Sequence, residues 1–475
     1  MGRIARGAVD MTADKAVDRT IKDQYTENLF ELIPVARKVD PVYMMEILMR
    51  ADQGKPISRP LGSHKRLELS PWDKLMFNPV HLFRFPTMGS TAISTSVTIG
   101  RGAKKPLHLS IPIMIAGMSF GGALSKTAKI ALAKGASMIG TASNTGEAGL
   151  LREERAAANL LIGQYNRGGW LNSKEKYSEM DAIEIQLGQG AQGSAPQKTA
   201  HKNIGEEYRN VLELGPDQDA VIGSRLPGVD TKVEFISLVN QLKVETGVPV
   251  GLKIAATHHL EKELQIALEA GVDFITLDGA EGGTHGSSPT TEDDLGLPTL
   301  YAISRASKFL ASKGMEQGVS LIAAGGIITP GDCLKAMALG ADAVYMGTAV
   351  VLALIGDQMT KALPFEPPTD LVVYNAKMTD SLDVNKSANN LYNFLKASVM
   401  EMQQVCYSLG KSGLSEVDRQ DLCALDPHIS RAVGVELGFI SPGEQSQYFA
   451  EHMDLPFISA EGDEPLDHDQ PLPKH

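Results

Sequence analysis

The chain has 475 residues, of which 43% are hydrophobic and 21% charged, as expected for a protein with a large buried core. Its net charge of −12, without a basic run, argues against a nucleic-acid partner, because an acidic surface repels phosphates. The 3 cysteines form no CxxC cluster, so we expect neither a disulfide framework nor a metal site. The amino-terminal segment has no signal-peptide core and no apolar run is long enough to span a membrane. We therefore expect a cytoplasmic protein without a membrane partner.

The first part of the chain, residues 1–105, is predicted to be an amino-terminal extension of helical and irregular segments. Within it, residues 25–51 have helical apolar spacing interrupted by Pro34 and Pro41. Beyond residue 105, short apolar strands alternate with amphipathic helices. This pattern predicts a parallel sheet.

Eight candidate strands lie in residues 106–350. They end at or near Met118, Ser143, Tyr165, Leu187, Ala256, Gly279, Gly326 and Gly347, and the second of them begins at Ser137. Helices are predicted between them at residues 122–134, 232–246, 260–270, 298–313 and 330–340. Eight strands in this alternation predict an α/β fold, a closed (β/α)8 TIM barrel, rather than an open doubly wound sheet.

After the barrel, residues 351–460 are predicted to form a carboxyl-terminal helical extension, with helices near 386–410 and 414–422. The polar tail, 461–475, is predicted to be disordered. Two long intervals within the barrel, 188–230 and 280–297, follow the carboxyl ends of strands. Loops at that end of a barrel usually build the active site or its lid.

Two strands with glycine at their ends predict a phosphate site. VSLIAAGGI ends near Gly325 and Gly326, and ADAVYMGTA ends near Gly347 and Thr348. Glycine lets backbone N–H groups approach a phosphate, and a helix start adds a favourable dipole. Two ordinary βα turns that need glycine only for tightness are the alternative.

The loops after the first two strands contain small and polar residues. The AGMSFGG loop after the first strand would let a flat ring lie against its backbone, although a tight turn needs the same residues. SNTGEAG puts Asn144, Thr145 and Glu147 at the catalytic face. Between Gly146 and Ala148, the Glu147 carboxylate has no bulky neighbour and is available for proton transfer, although a helix-capping role is the alternative.

Further candidates follow the fourth, fifth and sixth strands. Lys253 lies in the otherwise apolar VGLKIAA, and a lysine inside a barrel strand is costly unless it faces an anion or an electron-rich ligand. Its alternative is a side chain that extends past the strand end. Gln189 suits hydrogen bonding to a heteroaromatic edge. Gly282 and Gly283 begin a GGT run that either wraps a ligand or merely turns.

The motifs AGMSFGG, SNTGEAG, QGAQG, GLKIA, GAEGGT, AAGGI and MGTA occur in this order over residues 106–350. The chain thereby resembles the FMN-binding synthase domain of the glutamate synthase (large subunit) family. The resemblance implies these FMN-binding residues: Gly117, Met118, Ser119, Asn144, Gln189, Lys253, Gly282, Gly283, Gly325, Gly326, Gly347 and Thr348. It further implies a phosphate on the two glycine-ended turns, Gln189 at the pyrimidine edge of the flavin, and Lys253 near N1 and O2.

In that family, reduced FMN passes a hydride to the imine formed from 2-oxoglutarate and ammonia. The resemblance implies that Glu147 and Lys253 are catalytic, because they match a family carboxylate and a family lysine beside the substrate. It implies substrate contacts for Ser143, Thr145 and Glu147. The expected function is therefore reduction of an imine of 2-oxoglutarate, or of a related oxo acid, to an amino acid.

The chain departs from the family pattern in three places, of which the first is a GGTHGSSP loop one residue longer than the family's usual run. The family carries three closely spaced cysteines after the last barrel strand, whereas VVLALIGDQMTKALPFEPP contains none, so we expect no iron–sulfur cluster. The segment before the barrel is only about a hundred residues long, so we also expect no glutaminase domain. We therefore expect a stand-alone form that takes ammonia or an amine, works with a separate reductase or amidotransferase subunit, and assembles as a homo-oligomer.

Two other functions stay open at this point. The first is an FMN-dependent barrel enzyme of another class, either a 2-hydroxy-acid oxidase or a non-redox isomerase. The second is a non-catalytic, flavin-holding partner subunit in a larger complex.

Overall fold

The computed structural model describes Met11, Asp14, Lys15, Asp18, Lys22 and residues 72–284, 287–363 and 365–452. The chain divides into two compact units, Met1–Ser58 and Arg59–His475. The described residues of the first unit are helical. The helical pattern at 25–51 and the polar tail 461–475 lie outside the described residues. All the elements named below belong to the second unit.

Eight parallel strands form the centre of the second unit. They are β1 Ile113–Ile115, β2 Ser143–Asn144, β3 Leu161–Tyr165, β4 Ala182–Gln186, β5 Val250–Ala255, β6 Phe274–Asp278, β7 Ser320–Ala324 and β8 Ala343–Met346. Hydrogen-bonded neighbours follow the order β1, β8, β7, β6, β5, β4, β3, β2. The remaining gap is bridged by the Ile115 N–H, which donates to the Ala142 carbonyl at 3.0 Å. The sheet closes on itself, and the predicted (β/α)8 barrel is confirmed.

The α-helices follow the strands and surround the barrel. In chain order they are α1 Lys126–Ile139, α2 Arg152–Ala157, α3 Lys174–Tyr177, α4 Glu206–Leu212, α5 Lys232–Thr246, α6 Leu260–Ala270, α7 Pro289–Asp293, α8 Thr299–Ser312, α9 Pro330–Ala338, α10 Thr348–Ile355, α11 Val384–Leu409, α12 Pro427–Val433 and α13 Gln445–His452. The predicted bounds of α5 and α6 are confirmed. Their amphipathic patterns begin after a capping box or a polar turn and end at a left-handed glycine, which are clear local signals.

The second strand shows the largest error in the predicted bounds. Residues 137–139, predicted as strand, form the last turn of α1, and β2 is only Ser143–Asn144. The helix continues because its small residues pack closely, and it ends where Gly140 adopts a left-handed φ of 77°. A short apolar run of this kind fits a strand or a buried helix equally well.

A hairpin closes the amino-terminal end of the barrel. Strands Val97–Ile99 and Leu107–Leu109 pair antiparallel, so the extension predicted as helical and irregular also contains strands. Their buried side chains pack in one cluster with barrel-interior residues such as Met114 and Phe274. The Gly100 N–H also donates to Ser320 Oγ, at the start of β7, at 3.2 Å. The opposite end, where the strands finish, is the mouth at which a site can form.

The carboxyl-terminal part is less helical than predicted. The helix predicted near 386–410 is confirmed as α11, which packs against α1 where Gly135 faces Leu391. The helix predicted at 414–422 is wrong. The structure has 3-10 turns there, and then Leu422–Ala424, which pairs antiparallel with Leu75–Phe77. The partner strand lies more than three hundred residues away, so no local pattern reveals it.

The long intervals at the barrel mouth contain structure of their own. Residues 188–230 hold α4 and a two-stranded ribbon of Gln197–Thr199 with Ala220–Ile222. Residues 280–297 hold α7. In the described part of the chain, no helix is both long enough and apolar enough to cross a membrane.

The interior of β5 depends on a glycine. A Cβ at Gly251 would lie 2.3 Å from Cδ2 of Phe274, a ring that is fully buried on β6. We expect Gly251→Ala to lower the free energy of unfolding by about 1–3 kcal/mol, the usual cost of overpacking a core. Gly102→Ala is the control, because nothing lies within 4 Å of the carbon it adds. Urea unfolding followed by circular dichroism measures both variants, and equal midpoints would contradict the packing argument.

Candidate active site

Lys253 lies at the centre of the mouth. It is the fourth residue of β5 and points into the barrel, because the residues before and after it pack in the outer core. Its side chain is 3% exposed and forms an ion pair with Asp278 at the end of β6, with 3.0 Å between Nζ and Oδ2. Burial alone would lower the pKa of Lys253, but the charges of Asp278 and Glu184 outweigh it and raise that pKa. The lysine therefore stays a cation in a buried position.

A network of neutral donors surrounds Glu184, deeper in the barrel. The Glu184 carboxylate accepts hydrogen bonds from Asn144 Nδ2 at 3.1 Å, Gln164 Nε2 at 2.8 Å and Thr276 Oγ1 at 2.8 Å. Asn144 Nδ2 also donates to the Tyr345 hydroxyl at 3.2 Å, and burial raises the pKa of Tyr345 well above its ordinary value. These side chains come from five different strands. The network therefore fixes the floor of the mouth.

Glu147 is held on the loop after β2. Its carboxylate accepts from Arg167 Nε and Nη2 at 3.2 and 3.3 Å, and from Gln192 Nε2 at 3.4 Å. Arg167 is buried, and so is Glu147. Burial raises the pKa of Glu147, although the charges of Arg167 and Lys253 oppose the shift. A carboxyl with a raised pKa beside a cation suits proton donation to a bound substrate.

Gln186 is a polar residue at the mouth whose side chain has no hydrogen-bond partner among the described residues. It is the last residue of β4, faces inward with Glu184 and lies opposite Lys253 in the strand register. It is fully buried, and among the described residues neither its Nε2 nor its Oε1 has a hydrogen-bond partner. Ser143 Oγ at the end of β2 is likewise unpartnered within that part of the chain. Buried amides without partners are rare, so these groups fit a ligand that supplies the missing hydrogen bonds.

The predicted phosphate turns have the backbone that glycine allows. Gly325 and Gly326 have φ of 98° and 68°. Gly347 is the N-cap of α10, and no described side chain caps that helix start. Free backbone N–H groups at Thr348 and beyond therefore suit an anion. Glu281 lies beside this place, since a Cβ at Gly326 would be 2.5 Å from the Glu281 Cβ.

The Glu281 carboxyl is itself anchored. It accepts from the Thr299 N–H and from Thr299 Oγ1, both at 2.9 Å. Burial raises its pKa. A carboxyl that protonates readily can stand near a phosphate at a lower electrostatic cost than an ordinary carboxylate.

The loops after β1 and β2 touch each other. A Cβ at Gly117 would lie 2.8 Å from Asn144 Oδ1, and a Cβ at Gly146 would lie 2.5 Å from the Ser119 nitrogen. The Gly146 N–H donates to Asn144 Oδ1 at 2.9 Å. The residues Gly117, Met118 and Ser119 and the loop that carries Thr145 and Glu147 therefore form one continuous surface beside the mouth.

The remaining candidates lie on the outer loops. Gln189 Nε2 donates to Thr284 Oγ1 at 3.0 Å, so its amide already has a partner. The Gly282 N–H donates to the Gly279 carbonyl at 2.9 Å, and a Cβ at Gly282 would lie 2.6 Å from Asp278 Oδ1. Gly283 is exposed. The structure thus brings Gly282 to the mouth, whereas Gly283 lies on its outer edge.

Several residues at the mouth are not among the site residues predicted from the sequence. Glu184 and Gln186 alternate with isoleucines in AIEIQ, and two polar residues on one face of a buried strand are a readable signal. Gln164 on β3 is a third case of that kind. Arg167 lies just beyond β3 in a loop, where its residue type and spacing carry no comparable signal.

The amino-acid sequence is similar to a known protein family and to several of its members. Residues 86–412 match the family model described as a conserved region in glutamate synthase. A glutamate synthase large subunit-like protein of Rhizobium meliloti (strain 1021) is 32% identical over 408 residues, covering 81% of this chain and 91% of that protein. An archaeal-type glutamate synthase (NADPH) of Thermotoga neapolitana is 28% identical over 413 residues, covering 82% and 80%.

Among solved structures, a mandelate oxidase mutant with an FMN adduct matches with a TM-score of 0.48 and 15% identity, covering 74% of this chain and 89% of that one. The family match spans all eight strands and every mouth residue described above.

The ion pair of Lys253 can be tested through stability. Lys253→Met leaves Asp278 and Glu184 without their cation, and we expect the free energy of unfolding to fall by about 3–5 kcal/mol. Adding Asp278→Asn removes one of the stranded charges, so the double variant should be more stable than Lys253→Met. Chemical unfolding of wild type, both singles and the double gives the coupling energy. Additive effects of the two substitutions would show that the pair does not interact.

Proposed function

This chain belongs to the glutamate synthase family, and on that premise we propose that it is an FMN-dependent oxidoreductase that reduces the imine of 2-oxoglutarate, or of a related 2-oxo acid, to an amino acid. The observation that carries the proposal is the buried cation Lys253 beside the amide of Gln186, which has no hydrogen-bond partner in the part of the chain that the structure describes. A fixed cation and a free amide are what the N1–O2 edge of a reduced, anionic flavin needs.

The residues at the mouth fit FMN at three points. Gln186 and Lys253 would meet the pyrimidine edge, and the backbone of Gly117–Ser119 would meet the ring. The turns after β7 and β8 would hold the phosphate with the backbone N–H groups of Gly325, Gly326, Gly347 and Thr348. Bound FMN would supply the hydride.

The side chains would prepare the substrate. Glu147, whose pKa is raised by burial, would give a proton to the imine nitrogen and so make the imine carbon more electrophilic. Arg167 would keep the carboxyl oriented through its two hydrogen bonds. Ser143 Oγ and the nearby Thr145, together with Gln192 beside Glu147, would supply polar contacts to the oxo acid.

Electrons and ammonia would come from outside the barrel. The stretch after β8 contains no cysteine before Cys406, so we propose that a separate reductase or a reduced nicotinamide cofactor reduces the FMN. Ammonia or an amine would be free in solution or supplied by an amidotransferase subunit.

The proposed reaction is tested with purified protein under anaerobic conditions. Added FMN should bind, and after chemical reduction it should be reoxidised by 2-oxoglutarate with ammonium but by neither alone. Glu147→Gln should retain FMN and slow reoxidation by about 100-fold or more, the usual scale for losing a general acid. Glu263→Gln, an exposed change on α6, is the control.

Absence of FMN binding would overturn the proposal. Flavin reduction by a 2-hydroxy acid, with no response to the imine, would assign the chain to the oxidase class instead. A substrate that turns over with no net redox change would indicate an isomerase.

Two substitutions test whether Gln186 or Gln189 lies at the flavin edge. Gln186→Leu should raise the stability of the FMN-free protein, because it removes a buried amide without partners, and it should weaken FMN binding by about 10-fold or more. Gln189→Leu, which loses a hydrogen bond to Thr284, should lower stability slightly and leave FMN affinity nearly unchanged. Fluorescence titration with FMN and thermal unfolding measure both effects. The reverse pattern would place Gln189 at the flavin edge.

A further inference from the structure

A second buried lysine lies behind the mouth, on α1. Lys129 is 1% exposed, and its Nζ donates to the Met118 carbonyl at 2.6 Å and the Asn144 carbonyl at 2.8 Å. The Thr145 carbonyl is a longer contact at 3.4 Å. Glu154 on α2 completes the set with an ion pair of 2.9 Å. An ammonium has three N–H groups, and here they meet carbonyl oxygens from two loops and one carboxylate.

This position is unusual for a helix that packs in the core. The other buried residues of α1 are mostly alanine, leucine and glycine, which bury without electrostatic cost. A buried ammonium and a buried carboxylate are both costly, and their mutual attraction rarely exceeds that cost by much. Apolar residues would serve packing as well. What the lysine adds is a set of directed bonds to backbone atoms.

Those backbone atoms belong to the two loops that form the continuous surface beside the mouth, against which the flavin ring is proposed to lie. Met118 lies in the loop after β1, whereas Asn144 ends β2 and Thr145 begins the loop that carries Glu147. The loops are in contact where Gly146 meets the backbone of Ser119. A Cβ on Gly146 would not fit there, because it would lie 2.5 Å from the Ser119 nitrogen. A single ammonium therefore bonds both loops from behind and fixes their separation.

We propose that Lys129, with Glu154 as its counter-charge, is a positioning residue for the flavin and for Glu147. It acts by holding the loops after β1 and β2 in one preformed arrangement. The effect on flavin rests on the function proposed above, whereas the effect on the loops does not. Neither side chain is placed in contact with substrate or cofactor.

The test replaces both charges with apolar residues of similar length. Lys129→Met with Glu154→Met removes the bonds to the loops without stranding a buried charge, so the double variant should fold with near wild-type stability. Amide hydrogen exchange in the FMN-free protein should become about 10-fold faster, or more, in residues 117–119 and 143–149. FMN affinity should fall by about 10-fold or more, and the visible circular dichroism of bound flavin should change.

Lys243→Met is the control at the closed end of the barrel, where a less buried lysine also bonds a backbone carbonyl and a carboxylate. Lys243 donates to the Gly271 carbonyl at 2.7 Å and pairs with Asp273 at 2.8 Å, before the start of β6 at the closed end of the barrel. Its loss should lower stability without changing exchange in the two mouth loops or the flavin spectrum. Lys129→Arg, which keeps the charge and several donors, should restore part of the protection and of the FMN affinity.

Unchanged loop exchange in a folded double variant would overturn the positioning role. Faster exchange with unchanged FMN affinity and spectrum would overturn its effect on flavin. A wild type that protects the loops through Lys129 but binds no FMN would refute the proposed function and leave the loop result standing. If the double variant does not fold, Lys129→Gln with Glu154→Gln provides the same exchange comparison, because it strands no charge and its shorter amide reaches fewer of the loop carbonyls.

Discussion

A charge buried inside the barrel governs the arrangement of the mouth. Lys253 stands on the inner face of β5, where an unpaired ammonium would cost several kcal/mol or more, about the whole stability of a typical domain. Asp278 balances the charge of Lys253 in an ion pair, and the charge of Glu184, deeper in the barrel, also favours the charged form of the lysine. Glu184 then needs donors of its own, which Asn144, Gln164 and Thr276 provide. One lysine thus accounts for polar residues on several neighbouring strands.

The barrel is consequently divided into two halves of different chemistry. The lower half is filled by apolar side chains and closed by the hairpin of Val97–Ile99 and Leu107–Leu109. The upper half holds charges whose partners come from adjacent βα units. Lys253 pairs with a residue of β6, and Glu147 pairs with Arg167 beyond β3. Stability therefore comes from one half and chemistry from the other, as in (β/α)8 enzymes generally.

The sequence predicts the barrel well because its signals are local. Strand periodicity, capping and left-handed glycines mark α5, α6 and most of the strands within a few residues. The exception is β2, whose short apolar run fits a helix end equally well. Other failures occur where distant partners decide the structure. The strand Leu422–Ala424 exists because Leu75–Phe77 pairs with it.

For the site, too, the residues with a local signal in the sequence are the ones that can be predicted. Lys253 stands out in the sequence because a charge interrupts an apolar strand, and Glu147 because small residues surround it. The alternation in AIEIQ marks Gln186 as an inward-facing polar residue, but its lack of hydrogen-bond partners among the described residues is seen only in the structure. The loop-bonding role of Lys129 is likewise seen only from its distances to two carbonyl oxygens. A lysine in an amphipathic helix ordinarily lies on the solvent-exposed face, so the sequence predicts an exposed side chain for Lys129, which is in fact buried.

The charge balance of the mouth has a consequence for any anion that enters it. The cations Lys253, Arg167 and Lys129 are each paired with a carboxylate, so a phosphate or an oxo acid adds negative charge that these three cations do not fully offset. Glu147 and Glu281 are carboxyls whose pKa is raised by burial, and an anion beside them raises it further. Binding of an anion therefore favours proton uptake at these two groups, and by linkage its affinity falls as the pH rises through their pKa values. The same proton, once held on Glu147, is the one that the imine nitrogen would receive.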